Sequence, residues 1–503
     1  MGTLAAHRRC RSGAHPALGS IIMTEITQTP PPSVTANTAD ESNWPLLPSE
    51  RVWSSGRLGI VLLVAACATW CFIIGEYVGY YLGFKPGLAA MTAGAMIGML
   101  LVTLAVVPTA TRYGIDSIVA CYPQFGTRGW LIAVFLQYVS IIGWNSLLLI
   151  FFGKSVTQLF IVLGWATPES ASWLVPVATI VSCMVVYFVL LGGAASISRV
   201  SVPLFFCIVG VGAWMLVLLV TQQSDTIAAA EPAYASGSFR WDYVTGIEIG
   251  IVSLLSWWPY IGAMVRVAPD ARTAAMPSML GMGLPVPILS VIGLAAILAL
   301  GVSDPSAWMV KLGGTVYGAI ALVFIIAANL GTAMTGVYAT SLGLKSVPGL
   351  SRQSWSTVLL VSLVPVAVIG TVLPDLFFAN FGTFLAFIGV FFAPLCGIQI
   401  IDFLVLRKQR IDIRALYDTT PGSAYSYWGG FNLAAILGMV AGFATYLYLL
   451  NPISYASRTP YEYLTASLPT AFVGALVYLI VTLVLVRPAG MGGYGHDKTK
   501  AAR

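Results

Sequence analysis

The sequence predicts an all-α membrane protein with twelve transmembrane helices, and three observations carry this prediction. The 503 residues are 58% hydrophobic and only 9% charged, with a mean hydropathy of +0.87. The apolar residues form blocks that can each supply the roughly 20 residues that a helix needs to cross a bilayer. The lysines and arginines alternate between the two sides of these blocks. Because lipid offers backbone N–H and C=O groups no partners, the blocks must be helices.

The predicted spans follow the apolar blocks in chain order. They lie at 58–83, 87–109, 129–163, 173–193, 200–221, 244–265, 278–301, 315–337, 355–373, 377–405, 429–450 and 466–486. Residues 1–57 contain a Pro/Thr/Ser-rich stretch that cannot bury a core, so we expect a disordered tail. Met23 opens a more ordinary start than Met1, so we expect it to be the natural start, and we expect no cleavable signal peptide before the tail.

The distribution of basic residues predicts the orientation of the chain. With the N-terminus in the cytoplasm, all but five of the 25 lysines and arginines fall on the cytoplasmic side. The five on the outer side are Lys85, Lys154, Arg240, Lys311 and Arg458. We therefore expect a multi-pass protein of the plasma (inner) membrane with both termini cytoplasmic. Topology accounts for the net charge of +6, so no nucleic-acid partner is implied.

Several classes of function are disfavoured by what the sequence lacks. The seven cysteines form no CxxC pair and the three histidines lie in the tails, so we expect no cofactor, zinc site or histidine relay. The sequence contains no HExxH or GxSxG motif and no paired intramembrane carboxylates, which are the features that would indicate a membrane-embedded enzyme. The sequence also lacks the GxxxxGK[ST] motif of ATP-driven proteins. Twelve spans with little mass outside them favour movement of a solute, with a channel or a scaffold as alternatives.

Glu76 is the clearest ionisable residue inside a predicted span, in ATWCFIIGEYVGYYLGF. Such residues are costly in the membrane and point to function. Gly75 and Gly79 flank it and would let the helix open, as in the discontinuous helices that build ion sites in transporters. We interpret Glu76 as a candidate to bind a cation or carry a proton. The alternative is a side chain solvated in an outer vestibule.

The sixth span contains SWWPYIGAM, in which Pro259 predicts a helix break. Trp257 and Trp258 precede the break, and a tryptophan ring there is suited to stacking on a flat heterocycle. An interfacial position, which is usual for tryptophan, does not fit residues in the middle of a span. We expect at least one of the two to contact a substrate, with Ser256 as a candidate for the substrate's polar edge.

Two further spans carry polar candidates. The third span reads QYVSIIGWNSLL and offers Gln137, Trp144 and Asn145, whose amides suit the donor and acceptor of a cyclic amide. The eighth span reads IIAANLGTAMTGVYATSLG, in which Asn329 and Thr332 supply oxygen atoms for a sodium site facing the first span. The alternatives are hydrogen bonds between helices and close packing of small residues.

Two other carboxylates have more ordinary interpretations. Glu248 lies near the outer end of the sixth span, where we expect water to solvate it. Asp402 lies at the inner end of the tenth span beside Arg407 and Lys408, which predicts a structural ion pair.

Two segments resemble signatures of the nucleobase–cation symporter family, which includes cytosine, hydantoin, allantoin and uracil permeases. The first is TRYGIDSIVACYPQFGTRGW, between the second and third spans. The second is GIQIIDFLVLRKQRIDIRALYD followed by YSYWGGFNLAAILG, from the tenth into the eleventh span. The segment YATSLGL after the eighth span is also similar to cytosine permeases. The resemblance covers essentially the whole membrane region.

The resemblance implies a LeuT-like fold in which the first ten spans form two inverted five-helix repeats, followed by two C-terminal helices. The first and sixth helices would be broken at the midplane, with substrate between the breaks and the third and eighth helices. The family's aromatic clamp aligns with Ser140 and Leu254, and Trp144 and Trp258 each lie one turn later. Trp70 occupies the position of the family's glutamine, and Thr332 retains one hydroxyl of the family's sodium-binding pair.

From these residues we predict a symporter that imports a small planar nitrogenous heterocycle, coupled to H⁺ or Na⁺. An amino-acid or osmolyte symporter of the same fold is the alternative. We expect a monomer that contacts only its substrate and the lipid bilayer. The predicted parts are a tail at 1–57, a transport core at 58–405, a cytoplasmic loop at 406–428, two extra helices at 429–486 and a tail at 487–503.

Overall fold

The fold is described from a computed structural model. The structure describes residues 44–192, 195–418, 420 and 422–494, with the side chains of 195–202 excepted. Most of the predicted N-terminal tail, residues 1–43, lies outside the described residues.

The first six predicted spans correspond to helices that include two bent pairs. In chain order they are α1 (Ser55–Ala66), α2 (Trp70–Gly79), α3 (Phe84–Tyr113), α4 (Leu131–Val162), α5 (Ala171–Leu190), α6 (Ala195–Ala229), α7 (Phe239–Leu255) and α8 (Trp258–Val265). The axes of α1 and α2 differ by 66° and those of α7 and α8 by 47°. Each pair is therefore one broken span.

The helices of the last six predicted spans are α9 (Ala271–Gly283), α10 (Pro285–Leu300), α11 (Pro305–Lys345), α12 (Trp355–Val372), α13 (Phe381–Ile400), α14 (Leu433–Leu449) and α15 (Ser467–Val481). α9 and α10 together form one span, 271–300. Gly314, with φ 67°, kinks α11 near its start, because only glycine readily adopts that conformation. α13 and α15 end in π-helical turns at Ile401–Leu406 and Thr482–Val486.

The predicted class, a helical multi-pass membrane protein, is confirmed. Nine helices of the described chain are long and apolar enough to cross a membrane, or eleven when each bent pair counts as one span. α14 is apolar but shorter, with 17 residues. Large apolar side chains such as Phe188, Phe206 and Val316 are exposed on the spanning helices, as expected for surfaces that face lipid.

The core is built from three close helix pairs, α4 with α11, α3 with α7, and α2 with α10. Glycines let the backbones approach in each pair. A Cβ on Gly250 of α7 would lie 2.7 Å from the Met91 carbonyl oxygen of α3. A Cβ on Gly336 of α11 would collide with the Asn145 side chain of α4. Small residues at helix contacts are the usual packing solution inside a membrane.

The two ends of the bundle differ in the connections that they carry. The segment 114–130, between α3 and α4, lies at the end that we call the linker end. Residues 44–54 also pack there, since the Arg51 guanidinium donates to the carbonyl oxygens of Thr111 and Arg112 at 3.0 and 2.9 Å. The predicted disordered tail therefore extends too far, because residues 44–57 are ordered by these contacts.

At the opposite end, which we call the far end, Glu248 is not solvated as predicted. It is buried and accepts four hydrogen bonds. The Tyr446 and Ser467 hydroxyls donate to it at 3.0 and 2.6 Å, and the backbone N–H groups of Ala466 and Ser467 donate at 3.1 Å. Glu248 thus caps the start of α15, where unpaired N–H groups favour a carboxylate, and it joins α7 to α14 and α15.

Candidate functional site

The break in the first span lies at Cys67–Thr69, between α1 and α2. The prediction that Gly75 and Gly79 open this helix is wrong, because both lie inside α2. A Cβ on Gly75 would collide with the carbonyl oxygen of Ser290 on α10, and one on Gly79 would collide with Ile297. These glycines permit tight packing of α2 on α10 rather than a break.

The break in the sixth span lies at Ser256 and Trp257, and α8 then begins at Trp258, the residue before Pro259. Pro259 stands in the first turn of α8, where its missing N–H costs no helical hydrogen bond. The Ser256 hydroxyl donates to the carbonyl oxygen of Ser253 at 2.5 Å. The proline therefore marks the start of the second half-helix, and the Ser256 side chain is held by its own helix.

Three tryptophan rings from three elements meet between the two breaks, and we call them the indole cluster: Trp70, Trp144 and Trp257. The ring centroids of Trp70 and Trp144 are 5.2 Å apart, edge to face. Those of Trp70 and Trp257 are 6.1 Å apart. Trp70 and Trp144 are buried, and Trp257 is half-buried. The cluster joins α2, α4 and the break before α8.

The indole N–H of Trp144 is buried and has no hydrogen-bond partner. A buried donor without a partner is costly, so the position suits a ligand that brings an acceptor. Phe381 and Phe384 of α13 approach the other edges of the Trp144 ring, with centroids at 5.4 and 5.7 Å. Sequence reasoning missed these two phenylalanines, because nothing distinguishes them from other apolar residues of the tenth span.

Trp258 does not belong to the indole cluster. Its indole N–H donates to Gln399 Oε1 of α13 at 2.6 Å, and its ring packs against Phe392. The side chain is fully buried. Of the two adjacent tryptophans, of which at least one is predicted to contact a substrate, Trp257 belongs to the indole cluster and Trp258 anchors α8 to α13.

The amide side chains of α4, Gln137 and Asn145, pack against α11. A Cβ on Gly343 would lie 2.7 Å from Gln137 Oε1, so the Gln137 amide packs directly on the α11 backbone. Gln137 Oε1 and Ser140 Oγ are buried without hydrogen-bond partners. Asn145 packs on Gly336 in the same way. The amides thus line the α4–α11 contact, and Gln137 keeps a free polar atom there.

The cation candidates lie in two separate places. The Thr69 hydroxyl, at the first break, hydrogen-bonds to Asn329 Oδ1 of α11, and Asn329 Nδ2 is buried without a partner. The Thr332 hydroxyl donates to the Ala328 carbonyl oxygen at 3.0 Å. Asn329 therefore contacts the first break, through a hydrogen bond to Thr69 that the sequence did not indicate.

Glu76 lies within α2, seven residues after Thr69, and its hydrogen-bond partner is Trp308 rather than Asn329. Its Oε1 accepts from the indole N–H of Trp308 at 2.7 Å, and both side chains are buried. Trp308 belongs to the segment of α11 before the Gly314 kink. Among the described residues, no three His, Cys, Asp or Glu side chains group as a metal site would require.

Comparison with known proteins identifies the family. Residues 45–474 match the family model described as "Permease for cytosine/purines, uracil, thiamine, allantoin". The chain belongs to this family. It is a membrane transporter rather than an enzyme, and the resemblance of the two signature segments is confirmed.

Curated relatives in this permease family have low sequence identity to this chain, but their alignments with it are long. The cytosine permease of Escherichia coli strain K12 is 25% identical over 344 residues, covering 66% of this chain and 75% of the relative. The hydantoin permease of Microbacterium maritypicum is 24% identical over 433 residues, covering 78% of this chain and 81% of the relative. Both alignments extend over most of the membrane region.

The fold is also that of a solved transporter, Mhp1, described as a nucleobase–cation-symport-1 family transporter. In its closed conformation with bromovinylhydantoin bound, the TM-score is 0.70 at 19% identity, covering 88% of this chain and 96% of that chain. The inward-facing conformation of Mhp1 gives 0.73 at 20% identity, covering 89% and 94%. At this identity the likeness establishes the fold alone.

The two signature segments of the permease family form one structural unit at the linker end. The backbone N–H groups of Thr127 and Arg128 donate to the carbonyl oxygens of Tyr425 and Gly430 at 3.1 and 2.8 Å. The Asn432 side-chain amide donates to the Gln124 carbonyl oxygen at 2.6 Å. The loop before α14 is therefore fixed to the connection between α3 and α4.

Proposed function

We propose that this permease is a secondary active transporter that imports a small planar nitrogenous heterocycle by alternating access. The observation that carries the proposal is the indole cluster between two broken helices, with the Trp144 N–H unpartnered. Indole faces stack on planar rings whatever their substituents, and the free N–H suits a ring carbonyl or ring nitrogen. The cytosine and hydantoin permeases among its relatives support this substrate class.

The electrostatics of the cluster favour a neutral ring over an amino acid. The cluster and the phenylalanines around it carry no charge, and a zwitterion would need a partner for its ammonium group. Trp70 begins α2 and Trp257 immediately precedes α8, so the indole cluster lies at two helix amino termini. Helix amino termini favour acceptor atoms such as ring carbonyls. The same termini would also favour a carboxylate, so an amino-acid or osmolyte symporter is the second candidate.

The helix pairing supports the proposed inverted repeat. A five-helix repeat makes the second span equivalent to the seventh, and the first equivalent to the sixth. The first span packs on the seventh, through α1 with α9 and α2 with α10, and the sixth packs on the second, through α7 and α8 with α3. Under that symmetry these would be the two copies of one contact between spans. We further propose twelve crossings, with α14 as the eleventh, and both termini in the cytoplasm of a monomer in the inner membrane. The linker end is then cytoplasmic.

A thermal-shift screen of the purified protein tests the substrate class. Cytosine, uracil, hydantoin, allantoin and purines are compared with amino acids and betaine, each with and without sodium and at two pH values. A bound ligand stabilises the folded state by about 2.7 kcal/mol at a hundred times its Kd. We expect a heterocycle to raise the Tm. Stabilisation by amino acids or amines alone would contradict the proposal and favour the second candidate.

The coupling ion is proposed to act at Glu76 if it is a proton, and at Asn329 and Thr332 if it is sodium. Glu76→Gln keeps an acceptor for the Trp308 N–H but removes the titratable group. We expect this variant to bind the heterocycle without the pH dependence of the wild type. The exposed Glu169→Gln, between α4 and α5, is the matched control. An unchanged pH dependence in Glu76→Gln would exclude a proton-coupling role for this residue.

A further inference from the structure

The most extensive buried polar network of the linker end is not explained by substrate binding. Asp402 and Arg407 form an ion pair at 2.6 Å with side chains 0% and 2% exposed. The predicted structural pair is thereby confirmed, but it is not isolated. Gln124 Nε2 and Arg407 Nε donate to Asp402 Oδ2, and the hydroxyls of Tyr478 and Tyr494 donate to Oδ1 at 2.9 and 2.6 Å. We call Asp402, Arg407, Tyr478 and Tyr494 the clasp.

The segment after α15 closes the clasp. Arg407 Nη1 donates to the Gly492 carbonyl oxygen at 2.6 Å, and the Arg407 guanidinium lies over the Tyr494 ring, 4.3 Å from its centroid. The Gly492 N–H donates to the Ala424 carbonyl oxygen at 2.9 Å. Residues 487–494 are therefore held by a carboxylate, a cation and a backbone hydrogen bond at once, which is more than an incidental surface contact provides.

The clasp reaches the connection between α3 and α4 directly. Arg407 Nη2 donates to the Pro123 carbonyl oxygen at 2.8 Å, beside the contact of Gln124 with Asp402. The same connection contacts α8 through Ser117. The Ser117 hydroxyl donates to the Trp258 carbonyl oxygen at 2.7 Å and accepts from the Gly262 N–H at 3.1 Å. A continuous set of hydrogen-bonded elements thus runs from residue 494 to α8.

A second route links the same partners through α13. Gln399 lies one turn before Asp402, accepts from the Trp258 indole N–H and donates to Cys121 Sγ at 3.2 Å. Trp257, the wall of the indole cluster, immediately precedes the half-helix that these contacts hold. The position of α8, and with it that of Trp257, is therefore set from two sides by residues around the clasp.

We propose that Tyr494 is a positioning residue for transport. It holds α8 in place through the clasp and the 114–130 connection. In this way it sets how readily the linker end opens. Its hydroxyl is one of two donors to Asp402 Oδ1, and its ring covers Arg407. Loss of the hydroxyl leaves a buried carboxylate oxygen with one fewer donor, which weakens the network. The inference rests on the proposed function only where uptake is measured, because opening of α8 is measurable without a substrate.

Hydrogen–deuterium exchange of the purified full-length protein tests the proposal directly. Tyr494→Phe removes the hydroxyl and keeps the ring over Arg407. We expect the amides of Trp258–Val265 to exchange on the order of three- to tenfold faster, although Tyr494 has no contact with this half-helix. The amides of α7 should not change. Tyr463→Phe is the matched control, since its hydroxyl and ring contact the exposed Arg240 at the far end.

A double-mutant cycle separates this role from local loosening. In the Ser117→Ala background, which removes one of the two routes to α8, Tyr494→Phe should change exchange in Trp258–Val265 clearly less than it does in the wild type, because only the route through Gln399 remains. Faster exchange confined to residues 487–494 and the loop before α14 would overturn the proposal. Tyr478→Phe removes the other donor to Asp402 Oδ1, and Tyr478 lies in α15 rather than in the segment that follows it. We expect it to reproduce the effect, so the test does not depend on the yield of one variant.

Uptake into proteoliposomes gives the functional readout, with radiolabelled cytosine and hydantoin as probes. We expect Tyr494→Phe to change the maximal rate severalfold while KM and the ligand-induced thermal shift stay within twofold of the wild type. A change in KM with an unchanged maximal rate would overturn the positioning role. If the wild type transports neither these probes nor any other heterocycle of the thermal-shift panel, the proposed substrate class fails, and the exchange experiment still decides the role of Tyr494.

Discussion

Trp144→Ala is expected to weaken binding of the transported heterocycle by about 5- to 150-fold, which corresponds to the ~1–3 kcal/mol that one stacked ring contributes. The Trp144 ring forms one wall of the indole cluster, and its N–H is the cluster's unpartnered donor. Alanine removes the stacking surface and that donor together. Titration of the ligand-induced thermal shift measures the loss, and uptake at low substrate concentration should fall in parallel.

The controls for this prediction use other tryptophans of the same chain. Trp173→Ala changes a tryptophan that is 57% exposed, and it should leave ligand binding unchanged. Trp257→Ala should weaken binding in the same range as Trp144→Ala. Trp258→Phe removes the hydrogen bond to Gln399 and should lower the Tm without a comparable loss of affinity. If Trp258→Phe weakens binding more than Trp257→Ala does, the assignment of the substrate wall to Trp257 is wrong.

Asp402→Ala is expected to give the largest loss of stability, about 3–5 kcal/mol, because it leaves the buried Arg407 charge without its partner. The substitution also removes the acceptor of Gln124, Tyr478 and Tyr494. Thermal unfolding of the purified variant and its abundance in the membrane report the effect. We expect a clear fall in both.

A surface ion pair supplies the matched control for Asp402. Asp375 pairs with Lys154 at 3.1 Å, but its side chain is 86% exposed. Asp375→Ala should therefore cost no more than about 1 kcal/mol. The double variant Asp402→Leu/Arg407→Met removes both charges and should recover part of the stability lost in Asp402→Ala. A double variant less stable than Asp402→Ala would show that the buried charge is not the cause.

The helices themselves were predictable from the sequence, because a bilayer leaves an apolar block no other structure. Every predicted span falls on described helices, including the short α14. Pro259 marked the second break for a local reason, since proline constrains its own backbone and belongs in the first turn of a helix. The ion pair of Asp402 with Arg407 was also suggested by nearness in sequence, and the π-helical turn at Ile401–Leu406 brings the two side chains together across five positions.

The first break could not be predicted in the same way. Glycine permits both an open helix and a close contact, and sequence does not distinguish the two. At Gly75 the neighbouring helix α10 decides, since its Ser290 carbonyl occupies the space of a side chain. The actual break at Cys67–Thr69 contains no proline or glycine. It is stabilised by partners that are distant in sequence, including the contact of Thr69 with Asn329.

A helical membrane protein, its family, the second break and the tryptophans of the proposed substrate wall could all be predicted from the sequence. These features depend on composition and on neighbours within a few residues. Packing against distant helices places Trp257 against Trp70 and Trp258 against Gln399, and it buries Glu248 as a hydrogen-bond acceptor where the sequence predicted a solvated charge. Adjacent side chains leave a helix in different directions, so the burial and hydrogen bonding of each depend on which distant helix it meets.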